Sequence, residues 1–321
     1  MRRAVILLVF SCVSGMTIPA GAQDYPAKPV RLLIGFPPGG GADIVARQFT
    51  PKLGEQLGQQ VVIENRGGAG GNIALEMLAK LPPDGYSLML TTPTVAVNPA
   101  LYPRVSYDSL RDFAPVVLVA STVYILVVHP SLPVKTVKEF ITLSKSKPRQ
   151  LNYSTGGNGA AAHLAGELFR SMSGIQVVHV PFKGIAQALI AVLSGEAQFT
   201  FGSQPSTLPH VKAGRLRALG VTSEKRSAFT PDIPSISEAA LPGYDTTAWY
   251  GIIAPAKTPR PVIAKLNAEV LKALDTGEVK TGLANQSFEI ITGTPEQFGA
   301  FIKEELVKWA RVVKESGMKI D

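Results

Sequence analysis

The sequence predicts a two-domain α/β protein whose mostly parallel sheets are covered by helices, and three observations carry that prediction. Short apolar strands alternate with helical patterns along the whole chain, the order that builds parallel sheets. The 321 residues exceed what one compact core usually holds. Finally, the uncharged, β-branched run Pro115 to His129 is too short to cross a bilayer and too long for an average strand. One long strand passing from one domain to the next accounts for it. Tyr244 to Ala254 is the best candidate for the return. Two crossings make lobe one discontinuous (23–122 plus 250–321) around lobe two (123–249), and such a double-strand hinge permits closure around a ligand. A single long edge strand within one domain is the alternative that the pattern leaves open.

In chain order, strands are expected at Val30–Ile34, Val61–Glu64, Ser87–Leu90, Asn152–Tyr153, Val177–Val180, Ala197–Phe201, Leu216–Val221 and Gly251–Ala254. Val45, Phe49, Leu53 and Leu57 recur every four residues and predict a helix that Pro51 kinks or restarts. Near the C-terminus, Pro259 to Thr276 aligns Ile263, Leu266, Val270 and Leu274 on one face. A capping box at Thr294-Pro295-Glu296-Gln297 opens the last helix. Phe298, Phe301, Ile302, Trp309 and Val313 form its stripe, so Trp309 is assigned to the core.

The N-terminus predicts export. Arg2 and Arg3 precede the apolar Val5–Phe10, and Ala20-Gly21-Ala22 supplies a small-x-small site for cleavage after Ala22, into the periplasm. Lipid attachment at Cys12 is the competing reading, disfavoured by Phe10 before Ser11 and by the short apolar core. Cys12 is the sole cysteine, so the mature chain would carry none; that excludes thiol catalysis, disulfides and thiolate metal sites. Removing Arg2 and Arg3 lowers the formal charge from +8 to +6. No Lys/Arg cluster remains to track a phosphate backbone, so nucleic-acid binding is not expected. The mild positive field would help collect anions.

Two glycine-rich turns each follow a strand and open a helix: Phe36-Pro37-Pro38-Gly39-Gly40-Gly41 into Ala42-Asp43, and Ser154-Thr155-Gly156-Gly157-Asn158-Gly159 into Ala160. Helix N-termini expose unpaired N–H groups and a partial positive charge, and glycine lets an anion approach the backbone. Such turns also serve as plain tight connections; one on each lobe favours a shared anion cradle. His163, in the first turns of the second helix, is a further candidate, with a structural role open. Lys183-Gly184 and Ser203-Gln204 sit at strand ends where ligands often arrive. Thr92 and Asn98 stand at the turn after Thr91, and Trp249 lies on the return crossing. A third cluster, Arg66 to Asn72, is read as rim or helix packing.

Enzyme readings fare badly. Gly157-Asn158-Gly159-Ala160-Ala161-Ala162 fits the dinucleotide fingerprint, yet no acid lies between Glu167 and Glu196 to take the ribose hydroxyls. The four histidines have no metal-ligand spacing, and no phosphate-loop or nucleophile-elbow motif exists. The chain is expected to bind without catalysis, with no metal and no cofactor.

These residues resemble the Bug/TctC substrate-binding proteins of tripartite tricarboxylate transporters, of Bordetella type. Matching stretches include YPAKPVRLLIGFPPGGGADIVAR, ENRGGAGGNIA, LNYSTGGNGAAAHLAGELF, HVPFKG and LPGYDTTAWYGIIAPAKTP, and the likeness spans Tyr25-Pro26 to Lys319. It implies a two-lobed periplasmic-binding-protein (Venus flytrap, type II-like) fold. It also implies that the loops Phe36–Asp43 and Ser154–Ala160 pin a ligand carboxylate, with ordered waters as bridges. The ligand would be a small organic acid or acidic amino acid. A monomeric protein would deliver it to transporter membrane subunits, which in many members are not encoded nearby, or would instead feed a signalling partner. Ile185, Gly202-Ser203 and Thr91–Val97 depart from the common pattern and leave the distal ligand open; Gly67 replaces a usual proline.

Overall fold

In the computed structural model, the described residues are 25–317; the signal-peptide and Cys12 readings lie outside them. The first lobe begins with β1 (Val30–Ile34), α1 (Gly41–Leu57), β2 (Val61–Asn65), α2 (Asn72–Leu78), β3 (Ser87–Thr91), α3 (Thr94–Leu101) and β4 (Phe113–Thr122). The second comprises β5 (Tyr124–Val128), α4 (Val137–Ser146), β6 (Asn152–Thr155), α5 (Ala161–Ser173), β7 (Val178–Pro181), α6 (Ile185–Leu193), β8 (Phe199–Ser203), α7 (Gln204–Lys212), β9 (Arg217–Val221) and α8 (Ile236–Ala239). The chain then returns through β10 (Ala248–Pro255), α9 (Arg260–Asp275), α10 (Gly277–Asn285), β11 (Glu289–Ile290) and α11 (Pro295–Ser316).

Two sheets result, ordered β11-β4-β10-β3-β1-β2 and β7-β6-β8-β5-β9. β1 pairs in parallel with β2 and β3, and β6 with β7 and β8. The crossing strands are antiparallel to their neighbours: β10 beside β3 and β4, β5 beside β8 and β9. β1 and β3, inside the first sheet, are covered on both faces, which explains their mostly apolar sequences.

The long run at 115–129 is not one strand. It breaks at Val123: Thr122 still pairs with Ala248 in the first sheet, whereas Tyr124 already pairs with Ser203 in the second. A single strand could not serve two separately twisted sheets, because each imposes its own direction on the ladder. The return strand begins at Ala248, inside the expected crossing of Tyr244 to Ala254, so Ala248 and Trp249 lie in the first sheet, two residues before the lobe boundary expected at 250. The two crossings pair at Thr122 and Ala248, and beyond that point Thr222 bridges them, its N–H donating to Tyr124 O at 2.9 Å and its carbonyl accepting from Thr246 N–H at 2.9 Å.

Pro51 does not restart its helix either. α1 is continuous across it, with Val45, Phe49 and Leu53 buried throughout. Pro51 and Arg47 both face solvent, so water can take the Arg47 carbonyl that proline leaves without an N–H. The capping box forms at Thr294 and Gln297, and Trp309 is buried as assigned.

Each lobe has its own core on both faces of its sheet. One further cluster joins the lobes: Ala96, Val97 and Leu101 of α3 and Trp309, Val312 and Val313 of α11 pack against Leu164 of α5.

Candidate functional site

Both glycine-rich turns are braced from behind. After β1, the Asp43 carboxylate accepts hydrogen bonds from Gly39 N–H (3.0 Å), Asn65 Nδ2 (3.1 Å) and the Arg47 guanidinium (2.8 and 3.1 Å). Asn65 Nδ2 also reaches Phe36 O at 3.0 Å, which ties the whole turn down. Burial works to raise the Asp43 pKa, but these donors outweigh it and hold the carboxyl below its usual range. Gly39 has φ +81°, which glycine adopts without strain.

After β6, the second turn is held by histidine. Gly159 N–H donates to His163 Nδ1 at 3.0 Å, and Thr155 Oγ1 lies 2.6 Å from His179 Nε2. The two imidazoles stack at 4.1 Å. Beneath them Tyr153 OH donates to Glu167 (2.5 Å), which Arg170 pairs at 3.3 Å. Burial first, then the neighbouring His179 and Arg170 charges, push the His163 pKa down to about 3; burial and Arg170 push His179 to about 4. Both rings are therefore neutral at physiological pH, and Nδ1 of His163 is free to accept.

A third turn joins them. Gly184, with φ +113°, caps α6, and Gly156 packs so closely on the Gly184-Ile185 peptide that a Cβ there would come within 2.9 Å of Ile185 N. The N-caps of α1, α3, α5 and α6 are Gly40, Pro93, Ala160 and Gly184, and none provides a side-chain cap. Thr136, Ser235 and Thr294 cap α4, α8 and α11 with their hydroxyls, whereas α2, α7, α9 and α10 also start without one. First-turn N–H groups have no intrahelical acceptor, so the four starts of α1, α3, α5 and α6 present donors to whatever lies between them.

What lies between them is a cavity of about 220 Å³. Its wall comes from Phe36 to Ala42, Thr92-Pro93 at the start of α3, Gly156, Ala160 to Ala162 and Lys183 to Ala186. The hinge strands close it with Tyr124, Ala248, Trp249 and Tyr250. Lys183 is the single charged side chain in this lining. The hydroxyls of Tyr124 and Tyr250 make no hydrogen bond among the described residues. Burial pushes the Tyr124 pKa up to about 12; burial raises Tyr250 too, with Tyr124 adding to it. Both stay protonated and able to donate.

Of the residues expected at the site, Phe36, Pro38, Gly39, Gly40, Gly41, Ala42, Thr92, Gly156, Ala160, Lys183 and Trp249 line the cavity. Gly157 and Asn158 line an adjoining recess with Gly68 to Gly71 and Tyr102. Others do not reach it, and each has a physical reason. Asp43 and His163 are buried braces, and Gly159 is engaged with His163. Ser154 donates to Ala188 O at 2.7 Å inside the sheet layer. Asn98 donates to Gly70 O (3.1 Å) and Asn72 Oδ1 (2.9 Å), pinning the third glycine cluster. Ser203 and Gln204 lead into α7 without a loop; Ser203 meets Ser206 at 2.7 Å, and Gln204 faces a different groove beside Ser227. Trp249 touches the cavity but is mainly core, its indole donating to Glu305 at 3.0 Å. Sequence reasoning missed Tyr124 and Tyr250; a tyrosine within an apolar strand gives no local sign that its hydroxyl opens onto a cavity. Among the described residues no group of His, Cys, Asp or Glu is placed to hold a metal, and no helix is long and apolar enough to cross a membrane.

Two sheet-centred lobes, a double crossing and a cleft lined by helix N-termini define a solute-binding protein of the periplasmic-binding-protein type. The profile of the tripartite tricarboxylate transporter family receptors, TctC, matches residues 45–318, and the chain belongs to that family. It is 34% identical to protein BugT of Bordetella pertussis over 321 residues, covering 99% of this chain and 98% of that one. An R. palustris protein solved with adipate superposes with a TM-score of 0.87 at 35% identity, over 92% of this chain and 99% of its own. MatC from Rhodopseudomonas palustris, with bound malate, gives 0.84 at 31% identity, over 90% and 100%.

Proposed function

We propose that this protein is exported to the periplasm, captures a small carboxylate-bearing metabolite and hands it to the membrane subunits of a tripartite tricarboxylate-type transporter, with no chemistry of its own. One observation carries the reading: four uncapped helix starts, two from each lobe, meet at a single interlobe cavity. Charge-assisted hydrogen bonds from backbone N–H groups contribute about 1.5–3 kcal/mol each. Donors on both lobes favour the closed form over the open one, which a ligand-driven population shift requires. The carboxylates in the related structures, adipate and malate, support the same ligand class. Residues 1–22 act as the signal peptide in this reading.

The test is a thermal-shift screen of the mature chain against mono-, di- and tricarboxylates. A bound carboxylate at ~100 times its dissociation constant adds about 2.7 kcal/mol of stability, readily seen as a higher melting temperature. A flat response to every carboxylate overturns the proposal.

A further inference from the structure

We infer that the cavity selects a carboxylate with an apolar body, and that the hydroxyls of Tyr124 and Tyr250 are side-chain donors that complete its anion clamp. This rests on the carboxylate reading and narrows it to a substrate class.

Tyr250 carries the first half of the argument. Its side chain lines the cavity, the residue is only 4% exposed, and its hydroxyl has no hydrogen-bond partner among the described residues. That hydroxyl lies where a Cβ on Gly41 would be, at the first residue of α1. A phenol donor that lines the cavity beside an uncapped helix start is poised for an anionic ligand that both can reach. Tyr124, on β5, lines the same cavity. One phenol comes from each sheet, so the pair reports on the same closure as the helix starts.

The walls carry the second half. An amino acid would bring an ammonium group, and no Asp or Glu lines the cavity; the nearby Asp43 carboxylate is already engaged by Gly39, Asn65 and Arg47. An unpaired buried ammonium is strongly disfavoured. Hydroxy acids and tricarboxylates would bring several more polar groups against Phe36, Pro38, Ile185 and Trp249, which offer no side-chain partner. The one lining cation, Lys183, is exposed and directly precedes the Gly184 N-cap of α6, so it stands at the anion clamp and offers nothing to polar groups on the body of the ligand. Size agrees, since a dry cavity of ~150 Å³ accepts benzene, and the ~220 Å³ here leaves room for a carboxylate as well.

The experiment is calorimetric titration of the mature chain with benzoate, cyclohexanecarboxylate, hexanoate and adipate, and separately with citrate, malate and glutamate. The best of the first set is expected to bind at least about tenfold tighter than any of the second. Citrate, malate or glutamate binding as tightly as the first set overturns the inference while leaving the carboxylate reading intact. Failure of both sets overturns the two together. Tyr124→Phe and Tyr250→Phe each delete only a hydroxyl, and each is expected to weaken the best ligand by about tenfold or more, with an unchanged melting temperature of the free protein. If both variants bind as the parent does, the tyrosines are wall and not clamp.

Discussion

The hydroxyl of Tyr250 fills the space that a side chain on Gly41 would need, so the third glycine of the Gly39-Gly40-Gly41 turn is a vacancy shaped by a strand two hundred residues away. Gly41 has an ordinary helical backbone; what it supplies is room.

Gly41→Ala tests that relationship. Its methyl would meet the Tyr250 hydroxyl at contact distance or closer, forcing either the ring or the start of α1 to move. Overpacking of this sort costs about 1–3 kcal/mol. Carboxylate affinity should fall by tenfold or more in calorimetry, and adding Tyr250→Phe should recover part of the lost melting temperature without restoring affinity.

Asp43→Asn removes the charge from the brace while keeping its shape. Arg47 and Gly39 N–H then lose their ionised acceptor, and the first turn loosens. A stability loss of about 1–3 kcal/mol is expected from denaturant titration, together with weaker ligand binding. Unchanged affinity would show that the turn holds its form without the brace.

Acid should weaken the second turn. The folded pKa values of His163 (about 3) and His179 (about 4) lie below the ordinary value of 6.5, so the unfolded chain takes up protons first. The stability contributed by these neutral rings is complete above pH 6.5 and is lost as pH falls from there toward 4 and then 3. A protonated His163 also has no lone pair for Gly159 N–H. Melting temperatures measured from pH 7 to pH 4 should fall more steeply in the parent than in His163→Gln, which does not titrate there.

Leu164→Ala addresses the cluster that joins the lobes. Leu164 is buried against α3 and α11, and truncating it should cost about 2–5 kcal/mol in unfolding free energy. Because that contact spans the two lobes, ligand-free protein should also give a larger radius of gyration by small-angle scattering. No change in either quantity would remove the cluster from any account of closure.

Much of the fold was legible before any coordinates. The strands at Val30, Val61 and Ser87 begin where apolar patterning places them, and the capping box at Thr294 forms as its residue types dictate. These are local matters: side-chain period, proline geometry and caps act within a few residues. Both glycine-rich turns were legible for the same reason, since a strand, glycines and a helix start are contiguous in sequence.

The less legible features were nonlocal. The break at Val123 depends on which sheet each flanking residue joins, and Pro51 is tolerated only because it faces water. Asp43, Asn98 and His163 looked like ligand groups, because a polar residue beside a glycine turn carries no sign of which way it faces; burial made them braces. Tyr124 and Tyr250 were missed for the converse reason, since nothing beside them in sequence shows that they line a cavity.

The sequence by itself determined the two-lobed α/β class, the two glycine-rich turns and the family, because alternating periods and contiguous motifs are properties of neighbouring residues. Only the tertiary structure decided that α6 joins α1 and α5 at one cavity, that its walls are mostly apolar, and that Gly41 yields its space to Tyr250. Those facts come from surfaces far apart in sequence being pressed together, and no residue carries that information until its partner arrives.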